Sequence, residues 1–517
     1  MLRNTLDVGG KFISLAIGLL IAGSATAAQI ENRSGEYLVK YKNEKAVNNI
    51  VSMQTESSGI QVLGLHKPGQ LLKVKLNALN KVRALAAIHA DKNVDYVVPN
   101  FTLRAFSTPV DLSALREQYA LAKVNAEKAW QRAGNKGSRN VLLAVIDTGV
   151  DYKHPNLAPN MVAGYDFRDK DADPMDITSA QNPGHGSHCA GIVGATGLVD
   201  GGISGLSPEV SIMPLRFLGA DGGGDLNDGI KAIDYAIEKK VQVISASWGA
   251  AVPLSTAKPL VEAIERAEKA GIVFVAAAAN DGKNNDTNEY YPTNADVANV
   301  ISVAASNAQD AKPSWSNYGR SKVHISAPGD AIMSTLPSNK FGNLSGTSMA
   351  TPLVAGLVAF LKAQDPTLTA QEIKALMQAT GAGVNIETAC NCRIDAFAAV
   401  DTLLSKKPFL VPTAATVKVD GTVQMSMKNS AGAVEYASSD AGVASVNATG
   451  LVTGHKEGTV KITAKNGANT VTSLDFIIGK AKATEPDPGT PGECPLGDAA
   501  MCEVICGIMP DLPFCQK

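Results

Sequence analysis

The sequence predicts an α/β protein whose largest unit is a doubly wound, mainly parallel sheet, with a small α+β unit before it and a β-sandwich after it. Three observations support this prediction. Short apolar strands alternate with amphipathic helices over residues 109–405, half-buried strand patterns precede them, and only short alternating segments follow them. The chain has 517 residues, which suggests about three or four domains. With 47 Lys and Arg against 49 Asp and Glu, it has no global basic field for nucleic acid.

The N-terminus has the pattern of a secretory signal peptide over residues 1–28. Arg3 and Lys11 precede an apolar run over 12–23. The run is followed by Ala25-Thr26-Ala27, which has the small residues of a signal-peptide cleavage site. The alternative is a membrane anchor, but a spanning helix needs ~20 apolar residues, and no other run is long enough. We therefore expect a secreted protein without a transmembrane anchor, located outside the cell or retained in the periplasm or at the cell surface.

Residues 29–108 are predicted to form the small α+β unit. Alternating apolar and polar residues at 36–42 and 71–76 predict half-buried strands. Residues 80–89 have helical spacing, and 94–100 predict another strand.

Residues 109–405 are predicted to form the α/β unit. Four near-continuous apolar runs predict parallel strands buried on both faces: 141–146, 241–245, 272–277 and 300–304. Helical patterns occur between them at 229–239 and 255–270. In such a sheet, ligands bind beyond the carboxyl ends of the strands.

Residues 408–479 change character, with short alternating segments separated by Gly, Asn and Asp turns and no helix-length pattern. This is typical of a small antiparallel β-sandwich. A Pro- and Gly-rich linker over 480–493 follows, and the chain ends in a Cys-rich tail over 494–517.

The seven cysteines are divided between the tail and the α/β unit. Export permits disulfides, and two bridges are expected to staple a tail that is too short to bury much surface. Metal binding is the weaker alternative, because the tail has no His. The disulfide candidates are Cys494, Cys502, Cys506 and Cys515. In the α/β unit, Cys390 and Cys392 could form a tight bridge, which leaves Cys189 as a buried free thiol.

Three segments contain the candidate chemistry, and each lies at a strand end or a helix start. They are Asp147-Thr-Gly-Val-Asp151, His185-Gly-Ser-His-Cys-Ala-Gly191 and Gly346-Thr-Ser-Met-Ala-Thr-Pro352. A serine hydroxyl needs a base to take its proton, and a histidine can do so near neutral pH. An aspartate then fixes the tautomer and stabilises the imidazolium. The pattern predicts nucleophilic catalysis by Ser348, His185 and Asp147.

In their order Asp, His, Ser, these segments resemble the three motifs of the subtilisin-like serine proteases. The resemblance implies a subtilisin-like catalytic domain that hydrolyses peptide bonds through an acyl-enzyme, with protein and peptide substrates and no organic cofactor. It places the oxyanion-hole side chain at Asn280, with the Ser348 N–H as second donor. It also implies two substrate-binding segments, made of Ser247, Trp248 and Gly249 and of Ala276, Ala277 and Ala278.

Three features of this site stay open in the sequence. Trp248 either narrows the primary pocket or is packed, and Ala279 stands where the family usually has Gly. The acidic segment before His185 is either a solvated loop or a structural calcium site, since hard cations take several carboxylate oxygens. The candidate calcium ligands are Asp166, Asp171, Asp173 and Asp176.

The flanking units resemble known modules too. Residues 36–104 are similar to the inhibitory propeptide of the same family, which implies a ferredoxin-like unit that inhibits its own enzyme and is cut off near 105–110. The alternative is a permanent N-terminal domain. Residues 408–479 resemble bacterial Ig-like modules of the Big-2 type, which implies contact with a cell surface or matrix.

The expected function is therefore a secreted serine endopeptidase made as a self-processing zymogen. One alternative is a catalytically weak adhesion or binding protein on a protease scaffold. Another is an esterase that uses the same triad, which is disfavoured because no G-x-S-x-G elbow occurs at Ser348.

Overall fold

The computed structural model describes residues 32–54, 58–106, 108–109, 118–198 and 202–479. The predicted signal peptide, the linker and the Cys-rich tail with its four disulfide candidates lie outside these residues. Within the described residues, every helix is too short or too polar to cross a membrane.

Residues 32–105 form an N-terminal unit with two helices on a four-stranded antiparallel sheet. Its elements are β1 (Asn32–Tyr41), α1 (Glu44–Ser52), β2 (Ile60–His66), β3 (Leu71–Leu76), α2 (Lys81–His89) and β4 (Val94–Ala105). The strand order β2-β3-β1-β4 with this succession of elements is ferredoxin-like, as predicted. The sequence prediction missed α1, which is only nine residues long, and β2, whose pairing shifts register between Val62 and Gly64.

Residues 108–404 contain the elements of the predicted α/β unit, and we call residues 119–404 the central domain. Its helices are α3 (Tyr119–Lys123), α4 (Ala126–Ala133), α5 (His185–Gly194), α6 (Leu226–Glu238), α7 (Leu254–Lys269), α8 (Thr347–Gln364), α9 (Ala370–Thr380) and α10 (Ala396–Leu404), with a 3-10 helix at Ala158–Asn160. The strands are β5 (Thr108–Pro109), β6 (Leu142–Asp147), β7 (Tyr165–Asp166), β8 (Ser211–Arg216), β9 (Gly223–Asp225), β10 (Val243–Ala246), β11 (Trp248–Gly249), β12 (Val273–Ala277), β13 (Val300–Ser306), β14 (Ile325–Pro328), β15 (Ile332–Leu336), β16 (Lys340–Ser345), β17 (Ala382–Gly383) and β18 (Cys392–Arg393).

Nine of these strands form one sheet in the order β17-β18-β14-β13-β12-β10-β6-β8-β7, and every pair except β17–β18 is parallel. Apolar layers cover both faces. Along β12, Val273 and Val275 belong to the layer that includes α5 and α8, whereas Phe274 and Ala276 belong to the layer that includes α6 and α7. This confirms the doubly wound sheet and explains its near-continuous apolar runs.

Residues 409–479 form the C-terminal module, a β-sandwich without helices among its described residues. Its strands are β19 (Phe409–Val411), β20 (Ala415–Lys418), β21 (Thr422–Gln424), β22 (Ser426–Lys428), β23 (Glu435–Ser438), β24 (Ala444–Val446), β25 (Leu451–Gly454), β26 (Gly458–Val460), β27 (Ile462–Asn466), β28 (Asn469–Thr472) and β29 (Phe476–Gly479). The prediction of purely antiparallel pairing was wrong in one place, because β20 pairs with β29 in parallel.

Two of the cysteine predictions fall within the described residues. Cys390 and Cys392 form a disulfide, and Cys189 is a buried free thiol.

Candidate active site

The three predicted catalytic side chains meet at the carboxyl edge of the large sheet. Asp147 ends β6, His185 begins α5, and Ser348 is the second residue of α8. His185 Nδ1 lies 2.6 Å from Asp147 Oδ1, and each residue is 1% exposed. A Cβ at Gly186 would collide with the carbonyl oxygen of Gly149, so glycine is required for α5 to pack this closely on the end of β6.

The pKa of His185 reflects two opposing effects. Burial disfavours the imidazolium and is the largest single effect, but the charges and hydrogen bonds of Asp147 and Cys189 together outweigh it and raise the pKa of His185 well above its usual value. Asp147 Oδ1 also accepts a hydrogen bond from the Thr148 N–H at 2.7 Å, which orients the carboxylate. His185 Nδ1 therefore donates to Asp147, and Nε2, which has no partner among the described residues, is free to take a proton.

Ser348 lies in the first turn of α8, where backbone N–H groups have no acceptor within the helix. Its hydroxyl donates to the carbonyl oxygen of Ser247 at 2.9 Å, and the Ser247 hydroxyl donates to the Ser348 carbonyl oxygen at 3.0 Å. In this conformation the Ser348 hydroxyl is held beside the start of β11.

Asn280 follows the carboxyl end of β12 and has a fixed orientation. Its Oδ1 accepts hydrogen bonds from the N–H and the hydroxyl of Thr347, both at 2.9 Å. Its Nδ2 therefore points outward, and it donates to the carbonyl oxygen of Phe106 at 2.8 Å. The preceding residue, Ala279, has a φ of +88°, a left-handed conformation that favours glycine.

The end of β4 lies in the cleft between two short strands of the central domain. It pairs with β9 on one side, with Leu103 opposite Gly224, and with β11 on the other, with Ala105 opposite Trp248. The Phe106 N–H then donates to the Ser247 carbonyl oxygen at 3.2 Å. The predicted substrate-pairing segment 247–249 thus binds an extended segment of the same chain.

Two described residues that follow Phe106 in the sequence also contact the central domain. Thr108 and Pro109 form β5, which pairs with Ser345 and Leu344 of β16, shortly before Ser348 in the chain. The described segments on either side of residue 107 therefore both pair with strands of the central domain.

The side chains predicted to line the cleft have different surroundings. Trp248 is packed, because its Nε1 donates to the Ile146 carbonyl oxygen at 2.6 Å and its ring meets Phe217 edge to face. Gly249 faces the Phe106 ring, since a Cβ at Gly249 would lie 3.0 Å from it. The second predicted substrate-binding segment lies at the end of β12 and just beyond it, and its side chains are fully buried: Ala276, Ala277 and Ala278.

The four carboxylates proposed for calcium do not converge. Asp166 is buried in an ion pair with Arg216. Asp171 and Asp173 are exposed, and Asp176 is buried with four hydrogen bonds from protein donors. The two buried carboxylates are already matched by protein groups, and a calcium site in this segment stays a prediction.

Within the described residues, one group of three side chains could offer metal ligands within 4.8 Å of one another, and it consists of Asp147, His185 and Cys189. Cys189 Sγ lies 4.0 Å from His185 Nδ1 and 3.4 Å from the Ser348 carbonyl oxygen. Burial raises the pKa of the Cys189 thiol, which makes it a poor nucleophile.

Sequence reasoning missed the position of Phe106. One signal was available, because apolar residues alternate again at Phe101, Leu103 and Ala105, in the opposite phase to Val94, Tyr96 and Val98. It also missed Asp176 as a polar core residue, which no periodicity could have distinguished from its acidic neighbours.

Comparisons with known proteins agree with this geometry. The subtilase family profile matches residues 138–403, and the profile of the bacterial Ig-like domain (group 2) matches residues 405–475. A thermophilic serine proteinase of Bacillus sp. (strain AK1) is 37% identical over 335 residues, which are 64% of this chain and 78% of that protein. Thermitase of Thermoactinomyces vulgaris is 40% identical over 273 residues, 53% of this chain and 91% of thermitase.

A solved structure shares the fold. Fervidolysin from Fervidobacterium pennivorans, described as a keratinolytic enzyme related to subtilisin, superposes with a TM-score of 0.61 and 24% identity, covering 84% of this chain and 71% of fervidolysin. The chain belongs to the subtilase family of serine proteases and has a bacterial Ig-like domain at its C-terminal side.

Proposed function

We propose that this chain is a secreted serine endopeptidase, made as a zymogen, whose catalytic triad is Ser348, His185 and Asp147. The hydrogen bond from Asn280 Nδ2 to the Phe106 carbonyl oxygen, 2.8 Å long, carries the proposal. It places an oxyanion donor on a peptide carbonyl of an extended strand, beside a serine and a buried His–Asp pair.

The proposed reaction begins when the Ser348 hydroxyl turns from the Ser247 carbonyl oxygen to His185 Nε2. The imidazole takes the proton as Oγ attacks the peptide carbonyl carbon, and Asp147 stabilises the imidazolium. Asn280 Nδ2 and the Ser348 N–H stabilise the oxyanion. The imidazolium then protonates the leaving amine, the C–N bond breaks, and water hydrolyses the acyl-enzyme with the imidazole again acting as base.

The same contact supports self-processing between Phe106 and Ser107, within the expected region 105–110. The Phe106 carbonyl is the one that faces Asn280, so its carbon is the one that Ser348 would attack. After cleavage the β4 strand would still fill the cleft, so the N-terminal unit would act as an intramolecular inhibitor until it dissociates.

The side chains of this strand indicate substrate preference. Phe106 packs against Gly249, where a side chain on residue 249 would exclude it. Leu103 is fully buried in an apolar cluster with Phe217 and Leu218. We expect peptide substrates with an aromatic or large apolar residue before the cleaved bond and an apolar residue three positions earlier.

The test compares wild-type protein with Ser348→Ala and with a control, Ser405→Ala, at an exposed position. Wild type and Ser405→Ala should release the N-terminal unit and yield a chain that begins at Ser107. Ser348→Ala should stay intact and lose about 10⁴-fold or more of its peptidase activity. N-terminal sequencing, intact mass and a fluorophosphonate label report these outcomes.

Two results would overturn the proposal. Purified Ser348→Ala protein that matures at the same bond would exclude self-processing. Failure of the fluorophosphonate to label Ser348 in the mature wild type would exclude the triad chemistry and favour an adhesion or binding protein. A role of the C-terminal module in contact with a cell surface or matrix stays a prediction.

A further inference from the structure

We propose that Asp176 is a positioning residue that holds His185 and Asp147 in register, an inference that rests on the proposed function. Asp176 touches no reacting atom in the proposed chemistry. It lies between the segment that follows Asp147 and the helix that begins with His185, and it is 4% exposed.

The carboxylate of Asp176 has a complete set of donors. Oδ1 accepts from Thr148 Oγ1 and Asn182 Nδ2, both at 2.9 Å. Oδ2 accepts from the Ser187 N–H at 2.9 Å and from Ser187 Oγ at 2.7 Å. Burial raises the pKa of Asp176 to about 6, and the hydrogen bonds from these donors limit the rise because they stabilise the charged form. The group is therefore a carboxylate at neutral pH. Four hydrogen bonds compensate the cost of burying this charge.

The first link runs to His185 through the start of α5. The N-cap residue of this helix is Gly184, which has no side chain to satisfy the free N–H groups. Asp176 supplies that acceptor from the segment before the helix, because Ser187 is the third residue of the helix, the position that an N-cap side chain normally reaches. A negative charge at this end of a helix is also favourable.

Asn182 provides a second contact with His185. Its Oδ1 accepts the His185 N–H at 2.8 Å and the Gly184 N–H at 3.0 Å, while its Nδ2 is held by Asp176. Asp176 therefore fixes both the axis of α5 and the backbone of its first residue.

The second link runs to Asp147 through Thr148. Thr148 Oγ1 donates to Asp176 and accepts the Gly186 N–H at 2.9 Å. The Thr148 N–H donates to Asp147 Oδ1, the same oxygen that binds His185. Asp176 thus bonds to the neighbours of both triad members, which lie 38 positions apart in the sequence.

The test replaces Asp176 with Asn, which keeps the size of the side chain but turns an NH₂ group toward one pair of donors. With a chromogenic peptide that has Phe before the cleaved bond, kcat should fall about 100-fold, as expected for a small displacement of catalytic groups, and KM should stay within about twofold. The control is Glu265→Gln, at an exposed carboxylate on α7, which should behave like wild type.

A spectroscopic readout separates positioning from loss of folded protein. The proton on His185 Nδ1, in a 2.6 Å hydrogen bond to Asp147, should give a far-downfield NMR signal in wild type and in Glu265→Gln. That signal should shift or broaden in Asp176→Asn, while the thermal unfolding of this variant remains cooperative.

A second pair of variants decides the question if Asp176→Asn does not fold. Ser187→Ala removes one donor and should lower kcat several-fold, and Ser187→Thr restores the hydroxyl and should recover the loss. The positioning role would be refuted if Asp176→Asn, or both Ser187 variants, had the kcat of wild type and the same downfield proton signal as wild type. An inactive wild type would instead refute the proposed function on which it rests.

Discussion

The two units that flank the central domain are attached to it in different ways. The N-terminal unit has its own core, which includes Val39, Leu72 and Leu85, and the other face of its sheet joins the apolar layer of α6 and α7. The C-terminal module also has its own core, and it contributes one strand, β19, to the layer on the opposite side of the central sheet. The first contact is made by the face of a separately packed sheet, whereas the second is made by a single strand whose side chains are divided between two cores.

The N-terminal contact combines apolar and ionic groups. Partly buried cationic side chains of its sheet face carboxylates on or next to helices α6 and α7, with Lys40 2.7 Å from Glu262 and Lys73 3.1 Å from Asp225. Its last strand occupies the cleft by backbone pairing. Once the chain is cut, this unit can leave with its own core intact, and its departure exposes the apolar layer that its sheet shares with α6 and α7.

The C-terminal contact depends on the alternation of β19. Phe409 and Val411 belong to the core cluster of the central domain, whereas Leu410 belongs to the core of the module. Outside this strand, Lys428 pairs with Glu372 at 2.6 Å. Removing the module would expose part of the central core, so we expect it to stay.

The largest expected effect is on this shared interior. Phe409→Ala should destabilise the central domain by about 3–5 kcal/mol and lower the temperature at which peptidase activity is lost by roughly 10 °C. The matched control is Phe476→Ala, which empties a fully buried site in the module's own core. It should unfold the module with a smaller effect on activity, as followed by calorimetry and residual activity. Equal loss of activity in both variants would contradict the distinction.

A smaller effect is expected at the N-terminal contact. Asp234 Oδ2 lies 2.6 Å from His66 Nε2 of the N-terminal unit and also binds Arg266 of its own domain. Asp234→Asn leaves Arg266 without its charge partner and weakens the bond to His66, so the cleaved unit should dissociate about 10-fold faster. The recovery of peptidase activity after self-cleavage measures this rate. Glu265→Gln, at an exposed site on α7, serves as control, and an identical rate in Asp234→Asn would argue against an ionic contribution.

The smallest expected effect is on pH dependence. Burial lowers the pKa of His89 to about 4, so the neutral form is favoured in the folded N-terminal unit. The stability that this residue provides is complete above the ordinary pKa of ~6.5 and is lost as pH falls from there toward 4. In uncleaved Ser348→Ala protein, the N-terminal unit should melt a few degrees lower at pH 5 than at pH 7.5.

His89→Leu should remove most of that shift, because a leucine has no proton to gain. The C-terminal module provides an internal comparison, since its one histidine, His455, is exposed. An equal shift with and without His89 would assign the acid sensitivity to other groups.

The sequence predicted the elements of the central domain well because their patterns are local. Strands such as β12 are apolar throughout because both faces are covered, and helices such as α7 have one apolar face. The N-terminal unit was predicted less completely. Short or irregular elements such as α1 and β2 have weak patterns of their own and are stabilised by the sheet they join.

In the candidate site too, some features were predictable from local sequence and others were not. Asp147, His185 and Ser348 were predictable from their motifs, but the packing of Trp248 and the partners of Asp176 were not. Trp248 bonds to a carbonyl 102 positions away, and the partners of Asp176 lie 6 to 28 positions away in segments that only the fold brings together. The acidic segment before His185 looks uniform in composition, but its four candidate carboxylates have different surroundings. One is in a buried ion pair, two are exposed, and one is buried with hydrogen-bond donors, so composition alone could not assign a metal site.

The sequence by itself determined the order of the units, the alternation of strands and helices, and the residue types of the triad, because these depend on neighbours within a few positions. Only the tertiary structure decided which peptide carbonyl faces Asn280 and which buried carboxylate bonds to the neighbours of Asp147 and His185. Asn280 is 174 positions from Phe106, and Asp176 is 28 positions from Thr148. Their geometry arises when the sheet brings its carboxyl edge together, and no local pattern specifies it.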